Sequence, residues 1–334
     1  MRVIVDAMGG DNAPQAIIEG CCIGLCQHPD MHITLVGDKD IIEKEIKKQG
    51  CDISRIEIVG TTEVIDMAEP AVEAIRKKKD SSMVVGLKLL KEKKGDAFLT
   101  AGSTGAAVAG STLIVKRMKG VKRPAIAPLL PTETGKVLLL DGGANAECRP
   151  SFLAQFALMG SIYMKNVEGV ENPAVGLVNN GAEAGKGNEL TKAAYKLIEK
   201  LPVNFAGNAE GRDLVNGDYD VLVCDGFTGN VIMKFMEGMA KALMTMIKKE
   251  LGASVRTKLG AAIAMPAFRN FKKSMDYKEY GGALLLGIDG AVVKAHGSSD
   301  AKAIKSALRQ VAGIIGGDVV NVIRNEISKT KIED

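Results

Sequence analysis

The residues able to do chemistry in this 334-residue chain gather in short glycine-containing segments. Five of these share one pattern: an apolar run, Asp or a small residue, glycine, a hydroxyl or amide, then a helical pattern. They are DAMGGDN (6–12), AGSTG (101–105), DGGAN (141–145), DGFTGN (225–230) and HGSSD (296–300). A sixth, NNGAEAGKGNE (179–189), adds the cation Lys186. Backbone N–H groups, small hydroxyls and amides in such turns suit a small oxyanion and a polarised carbonyl. The binding candidates are Asp6, Gly9, Gly10, Asp11, Ser103, Thr104, Asn145, Asn188, Asp225, Thr228, Gly229 and Ser298. His296, Lys186 and Asn230 are the candidates for catalysis.

Each has a plainer reading. Asp at a strand end is a common turn former, and His296 can simply orient its loop. DGFTGN is expected to lie between a strand and a long helix, with Asn230 at the N-cap, where free N–H groups meet the positive end of the helix dipole. No G-x-G-x-x-G fingerprint or Walker A loop is present, because Gly187 follows Lys186. There is no G-x-S-x-G elbow either. Cys224 lies inside an apolar run and reads as a buried structural thiol. Cys22, Cys26, His28 and His32 do not form a metal set, since the histidines fall in a loop and a strand start. Neither a metal nor a cofactor is expected.

Strands that alternate with helices must position these segments. Apolar runs at 2–7, 32–37, 54–59, 97–100, 125–130, 136–140, 174–178, 203–206 and 221–224 read as strands, most of them followed by helical periodicity. The fold class is therefore α/β, with a mostly parallel, doubly wound sheet whose ligands bind at the C-terminal rim. Asp289-Gly290 between two apolar runs predicts a hairpin, hence some antiparallel strands and room for a second lobe. A single domain over 1–334 is expected.

Composition narrows the function. Aromatics are 4% and Trp is absent, which disfavours base stacking, and the net charge of +4 is too mild for nucleic-acid binding. No apolar run approaches the roughly 18 residues of a membrane span, and the N-terminus enters a strand without a signal-peptide pattern. Six unpatterned cysteines predict a reduced, cytoplasmic chain. Basic runs at Arg76–Lys79, Lys91–Lys94 and Lys116–Arg123 read as solvated helix ends or as a patch for an acidic partner. Residues 253–273 combine Leu259, Ala262, Ile263 and Met265 with flanking Arg256, Lys258, Arg269, Lys272 and Lys273, and Pro266 is expected to break the helix. That basic amphipathic pattern fits a membrane surface and a dimer interface equally.

The start MRVIVDAMGGDNAP, with AGSTGA, DGGAN, KGNE, DGFTGN, YGGA (280–283) and HGSSD in order over nearly the whole chain, closely resembles the PlsX family of bacterial phosphate acyltransferases. The resemblance implies transfer of a fatty acyl group from acyl carrier protein to inorganic phosphate, giving acyl phosphate for phospholipid synthesis. It also implies a homodimer, loose association with the inner face of the cell membrane, and a fold similar to isocitrate and isopropylmalate dehydrogenases and to phosphotransacetylase. Two rival readings are an NAD-dependent dehydrogenase of similar fold and a non-catalytic regulator that binds acyl carrier protein.

Overall fold

Near-continuous apolar runs rich in Val, Ile and Leu suit strands buried on both faces, as parallel sheets require. In the computed structural model, which describes residues 1–274 and 280–333, such runs build two sheets. The side chains of Asn270, Lys272, Lys273 and Ser274 lie outside the described residues. The first sheet takes β1 (Arg2–Asp6), β2 (His32–Gly37), β3 (Ile56–Gly60), β4 (Ala97–Thr100) and β5 (Ala125–Ala127). It is completed near the C-terminus by β11 (Gly282–Leu286) and β12 (Ala291–Ala295), in the order β3-β2-β1-β4-β12-β11-β5. The second takes β6 (Leu129–Pro131), β7 (Lys136–Leu140), β8 (Ala174–Asn179), β9 (Asn204–Glu210) and β10 (Val221–Val223), in the order β6-β7-β10-β8-β9. Parallel pairing joins β1, β2, β3, β4 and β12 in one sheet and β7, β8, β9 and β10 in the other. The expected β11–β12 hairpin is antiparallel, as are the β11–β5 and β6–β7 pairs.

Helices cover both faces of the seven-stranded sheet. α1 (Gln15–Gln27), α2 (Lys39–Gln49) and α10 (Ala301–Gly316) pack on Val3, Val5 and Leu99. α3 (Ala71–Lys77), α4 (Ser82–Lys91) and α5 (Thr104–Gly110) pack on Ile4, Phe98 and Val292. Against the five-stranded sheet lie α6 (Pro150–Asn166) and α7 (Glu189–Ile198), with Leu138, Leu140, Val221 and Val223 beneath them. Its other face carries the start of α8 (Gly226–Leu251), where Ile232, Met233 and Met236 pack on Leu139 and Leu222. α11 (Val319–Lys329) closes the chain against α6. A single apolar core runs from the α1/α10 face of one sheet to the α6 face of the other.

The polar residues of the glycine segments begin helices. Ser103, Asn188, Asp225 and Asp300 each accept a hydrogen bond from the N–H three residues on, as N-caps do. This corrects the reading of DGFTGN. Asp225, not Asn230, is the cap, and Gly226–Asn230 form the first turns of α8 rather than a loop. The Asp225 side chain captures the free N–H and the hydroxyl of Thr228, so the helix starts five residues earlier than its apolar periodicity suggests.

Two further expectations change. α9 (Val255–Ser274) is continuous through Pro266, because a helix lacking one internal N–H can still close around it. Cys22 and Cys51 are joined as a disulfide, with Cα atoms 5.6 Å apart, so the cysteines are not all free thiols. Packing of α1 beside α2 brings the two together, which their 29-residue separation does not reveal. No helix among the described residues is long and apolar enough to cross a membrane.

α8 seats itself by backbone contact. A Cβ on Gly229 would lie 1.9 Å from the Asp141 carbonyl oxygen, so only glycine fits. Gly229→Ala is expected to destabilise the fold by about 3 kcal/mol through overpacking, read from the midpoint of a urea melt; an unchanged midpoint would refute the seating.

Candidate active site

The C-terminal ends of β1, β4 and β12 lie side by side and present one row of side chains. Lys294 pairs in register with Thr100. Asp6 continues the β1–β4 register, and Thr100 Oγ1 donates to its Oδ2 at 2.8 Å. Asp6 is fully buried, and desolvation pushes its carboxyl above the usual range against the hydrogen bonds from Thr100, Ser82, Met8 and Gly9. Lys294 is also buried; its ammonium donates to the carbonyls of Ala101, at 3.3 Å, and of Ala295. Three loops close over this row. Asp11 N–H donates to Gly297 O, and the Asn12 amide donates to the carbonyls of Ser298 and Ser299. A Cβ on Gly9 would meet Asp6 Oδ2 at 2.4 Å and Gly102 N at 2.8 Å, which explains glycine at that position.

Asp141 organises the rim of the five-stranded sheet. Its Oδ1 accepts from the N–H groups of Ile126, Gly143 and Ala144, and its Oδ2 from the N–H and the amide of Asn145. Burial raises its pKa from the ordinary carboxylate value, opposed by those donors. Asn145 also donates to Pro124 O, and its carbonyl accepts from Gly226 N–H. Beside this turn is an open cleft of about 480 Å³ lined by Ala146, Glu147, Cys148, Asn188, Leu190, Asp225, Phe227 and Thr228. Burial, with Asp141 and Asp225 nearby, pushes the Cys148 thiol up to about 12, so it is not a thiolate nucleophile at neutral pH.

The start of α8 lies between the two rims. Asn230 packs beside Gly143, 3.4 Å from the Cβ position. Lys234 and Glu237, one to two turns on, are close enough to act electrostatically on His296. The His296 ring accepts from Ser298 N–H at Nδ1, which places the proton of the neutral ring on Nε2. Desolvation lowers its pKa, so the ring is neutral at pH 7.

The likeness to known proteins agrees with this architecture. A family described as "Fatty acid synthesis protein" matches residues 1–322. A phosphate acyltransferase of Clostridium tetani is 48% identical over 327 residues, covering 98% of each chain. One of Clostridium perfringens is 48% identical over 335 residues, covering 100% of this chain and 99% of its own. This chain belongs to the phosphate acyltransferase family. A phosphotransacetylase of Streptococcus pyogenes superposes with a TM-score of 0.61 at 17% identity, over 96% of this chain and 94% of its own. The EutD phosphotransacetylase of Staphylococcus aureus gives 0.59 at 18%, over 94% of both; these two share the fold. Family membership makes the protein an acyltransferase and displaces both the dehydrogenase and the non-catalytic readings.

The structure sorts the candidate residues of this acyltransferase. Asp6, Gly9, Gly10, Asp11, Ser103, Thr104, His296 and Ser298 gather on the seven-stranded rim, and Asn145, Asn188, Asp225, Thr228, Gly229 and Asn230 on the five-stranded one. Several groups expected to face a ligand are engaged within the protein. Gly9 N–H donates to Asp6, and Thr228 N–H and hydroxyl donate to Asp225. Gly229 N–H donates to Asp225 O, and Asn145 holds its own turn. Lys186 is exposed on the β8–α7 loop, its side chain lying over Gly181. Sequence reasoning missed Thr100 and Lys294. A lone lysine in the apolar strand AVVKA, next to HGSSD, was the available signal. Asp141→Asn sets an amide donor against N–H donors, and a stability loss of about 2–4 kcal/mol is expected. Equilibrium unfolding measures it, and a loss under 1 kcal/mol would refute the organising role.

Proposed function

We propose that the enzyme transfers a fatty acyl group from acyl carrier protein to inorganic phosphate, giving acyl phosphate for phospholipid synthesis. Full-length likeness to phosphate acyltransferases carries this reading. The site chemistry supports it. A thiol pKa of about 8.5 makes the pantetheine sulfur a competent leaving group. Phosphate is a ready oxygen nucleophile, so the enzyme needs no strong base. Its task is to hold an anion beside the thioester and to stabilise the tetrahedral oxyanion.

The two rims divide this work. Glu147 and Asp225 make the open cleft acidic, which suits the neutral pantetheine arm better than phosphate. On the other rim, the N–H groups of Gly10, Ser103 and Gly297 donate to no protein acceptor among the described residues. Phosphate sits there, beside Asp11, Thr104 and Ser298. Neutral His296 offers its Nε2 proton to phosphate or to the oxyanion, Asn230 reaches in from α8, and Lys186, on the exposed loop of the other rim, offsets charge as the substrates approach. Purified protein, acyl-[acyl carrier protein] and phosphate are expected to yield acyl phosphate. His296→Ala is expected to lower kcat about 100-fold, and Asn230→Ala and Lys186→Ala to raise the KM for phosphate. No acyl phosphate from the parent enzyme would defeat the reading.

The acidic acyl carrier protein has basic surface to meet, although Lys77 and Lys78 already pair with Glu73 and Glu69. α8 and α9 carry apolar side chains that the described residues leave largely exposed. Phe235, Met239, Leu243 and Met246 are exposed on α8, as are Val255, Leu259 and Ile263 on α9, Ile263 at 84%. We assign the α8 stripe to a homodimer contact and residues 253–273 to the membrane surface, at the inner face of the cell membrane. Lys272 and Lys273 of that segment lie outside the described side chains. The parent enzyme is expected to float with anionic liposomes and the Leu259→Glu/Ile263→Glu variant to remain at the bottom. Equal flotation of both would reject the contact.

A further inference from the structure

An ammonium in a protein interior is costly unless an anion or a full set of acceptors compensates it. Among the described residues no carboxylate is in direct contact with Lys294, and its hydrogen bonds go to two neutral carbonyls, Ala101 O and Ala295 O. Asp6 and Asp11 attract it through space, yet desolvation prevails and lowers the ammonium to about 8. Asp6 is meanwhile engaged by the Thr100 hydroxyl and Met8 N–H. The Ala101 carbonyl that holds Lys294 is 3.3 Å from the Cβ position of Gly10, and Gly297 O is 3.0 Å from that same position. The carbonyl that holds the cation thus lies against Gly10, which also touches Gly297, and Ser103 follows Ala101 by two residues.

We propose that Lys294 supplies the buried positive charge of the phosphate subsite, neutralising from below an anion held from above by those three N–H groups. The inference rests on the reading of phosphate as acyl acceptor. A lysine that merely tied the loops together would have no reason to stay under-neutralised at a rim with open donors. The other charged groups facing this spot are Asp6 on β1, Asp11 after it, and His296 after β12, with Lys234 and Glu237 of α8 acting on His296. Bound phosphate stabilises the charged form of Lys294. Conversely, deprotonation of the free enzyme above about pH 8 removes the charge and weakens phosphate binding.

Thermal shift with inorganic phosphate alone, without acyl donor, tests this independently of turnover. For the parent enzyme the apparent Kd is expected to rise about tenfold from pH 8.5 to 9.5, where phosphate itself stays a dianion. Lys294→Met is expected to keep the ligand-free Tm, bind phosphate at least tenfold more weakly at pH 7, and show no alkaline weakening. Lys294→Arg is expected to restore binding at pH 7 and to hold it at pH 9.5. Steady-state rates of Lys294→Met should show the loss in the KM for phosphate rather than in kcat. A parent Kd that is flat across pH 8.5–9.5 overturns the assignment even if the variants fail to fold. So does Lys294→Met with a lowered ligand-free Tm and an unaltered phosphate Kd, the mark of a structural tie. If phosphate binds through Lys294 but no acyl phosphate forms, the proposed reaction falls and this subsite stands.

Discussion

The buried carboxylate of Asp141 is the constraint on which both halves of the site depend. It ends a strand of the five-stranded sheet, yet one of its donors is the N–H of Ile126 in the seven-stranded sheet. The same residue shapes the DGGAN turn through four more donated hydrogen bonds, and its own carbonyl is the surface on which Gly229 of α8 rests. One residue thus sets the spacing between the sheets, the conformation of a rim turn and the seat of the helix between the rims. A fully buried carboxylate is tolerable only where donors converge on it, so any chain with this turn must also supply those N–H groups.

The two rims are built from similar segments and come out chemically different. On the five-stranded side, carboxylates line the cleft and the helix-start donors are turned onto Asp225 and Asp141. Around the seven-stranded rim, buried Asp6 is opposed by buried Lys294, and several loop N–H groups keep no protein partner among the described residues. The proposed division of labour rests on this asymmetry, because an anion is disfavoured beside carboxylates and a neutral arm is not. α8 lets one element carry residues toward both, with Asn230 beside Gly143 and with Lys234 and Glu237 acting on His296.

α8 also shows how an apolar pattern can mislead. Its apolar residues recur on one face, and those of its first turns, Ile232, Met233 and Met236, pack on Leu139 and Leu222. Beyond Met236 the helix outruns the sheet beneath it, and the stripe continues over solvent. Periodicity reports that a face is apolar, not what covers it.

Much of the fold was legible in the chain. Apolar runs and turn residues marked the strands, the Asp289-Gly290 hairpin and the parallel character, and the ordered motifs pointed to the acyltransferase family. Local chemistry suffices for these features, because strand burial and turn conformation depend on neighbours a few residues away. The Asp225 cap is a local contact with Thr228 that apolar periodicity does not report, whereas the partition into two sheets and the Cys22–Cys51 pairing were decided by tertiary contact. So was the fate of the loop N–H groups, since whether a glycine amide faces a ligand or a carboxylate depends on strands far away in sequence. Lys294 is the sharpest case: the sequence displays a lone lysine in an apolar strand, and only the register of β1, β4 and β12 sets it in one row with Thr100 and Asp6 at the rim.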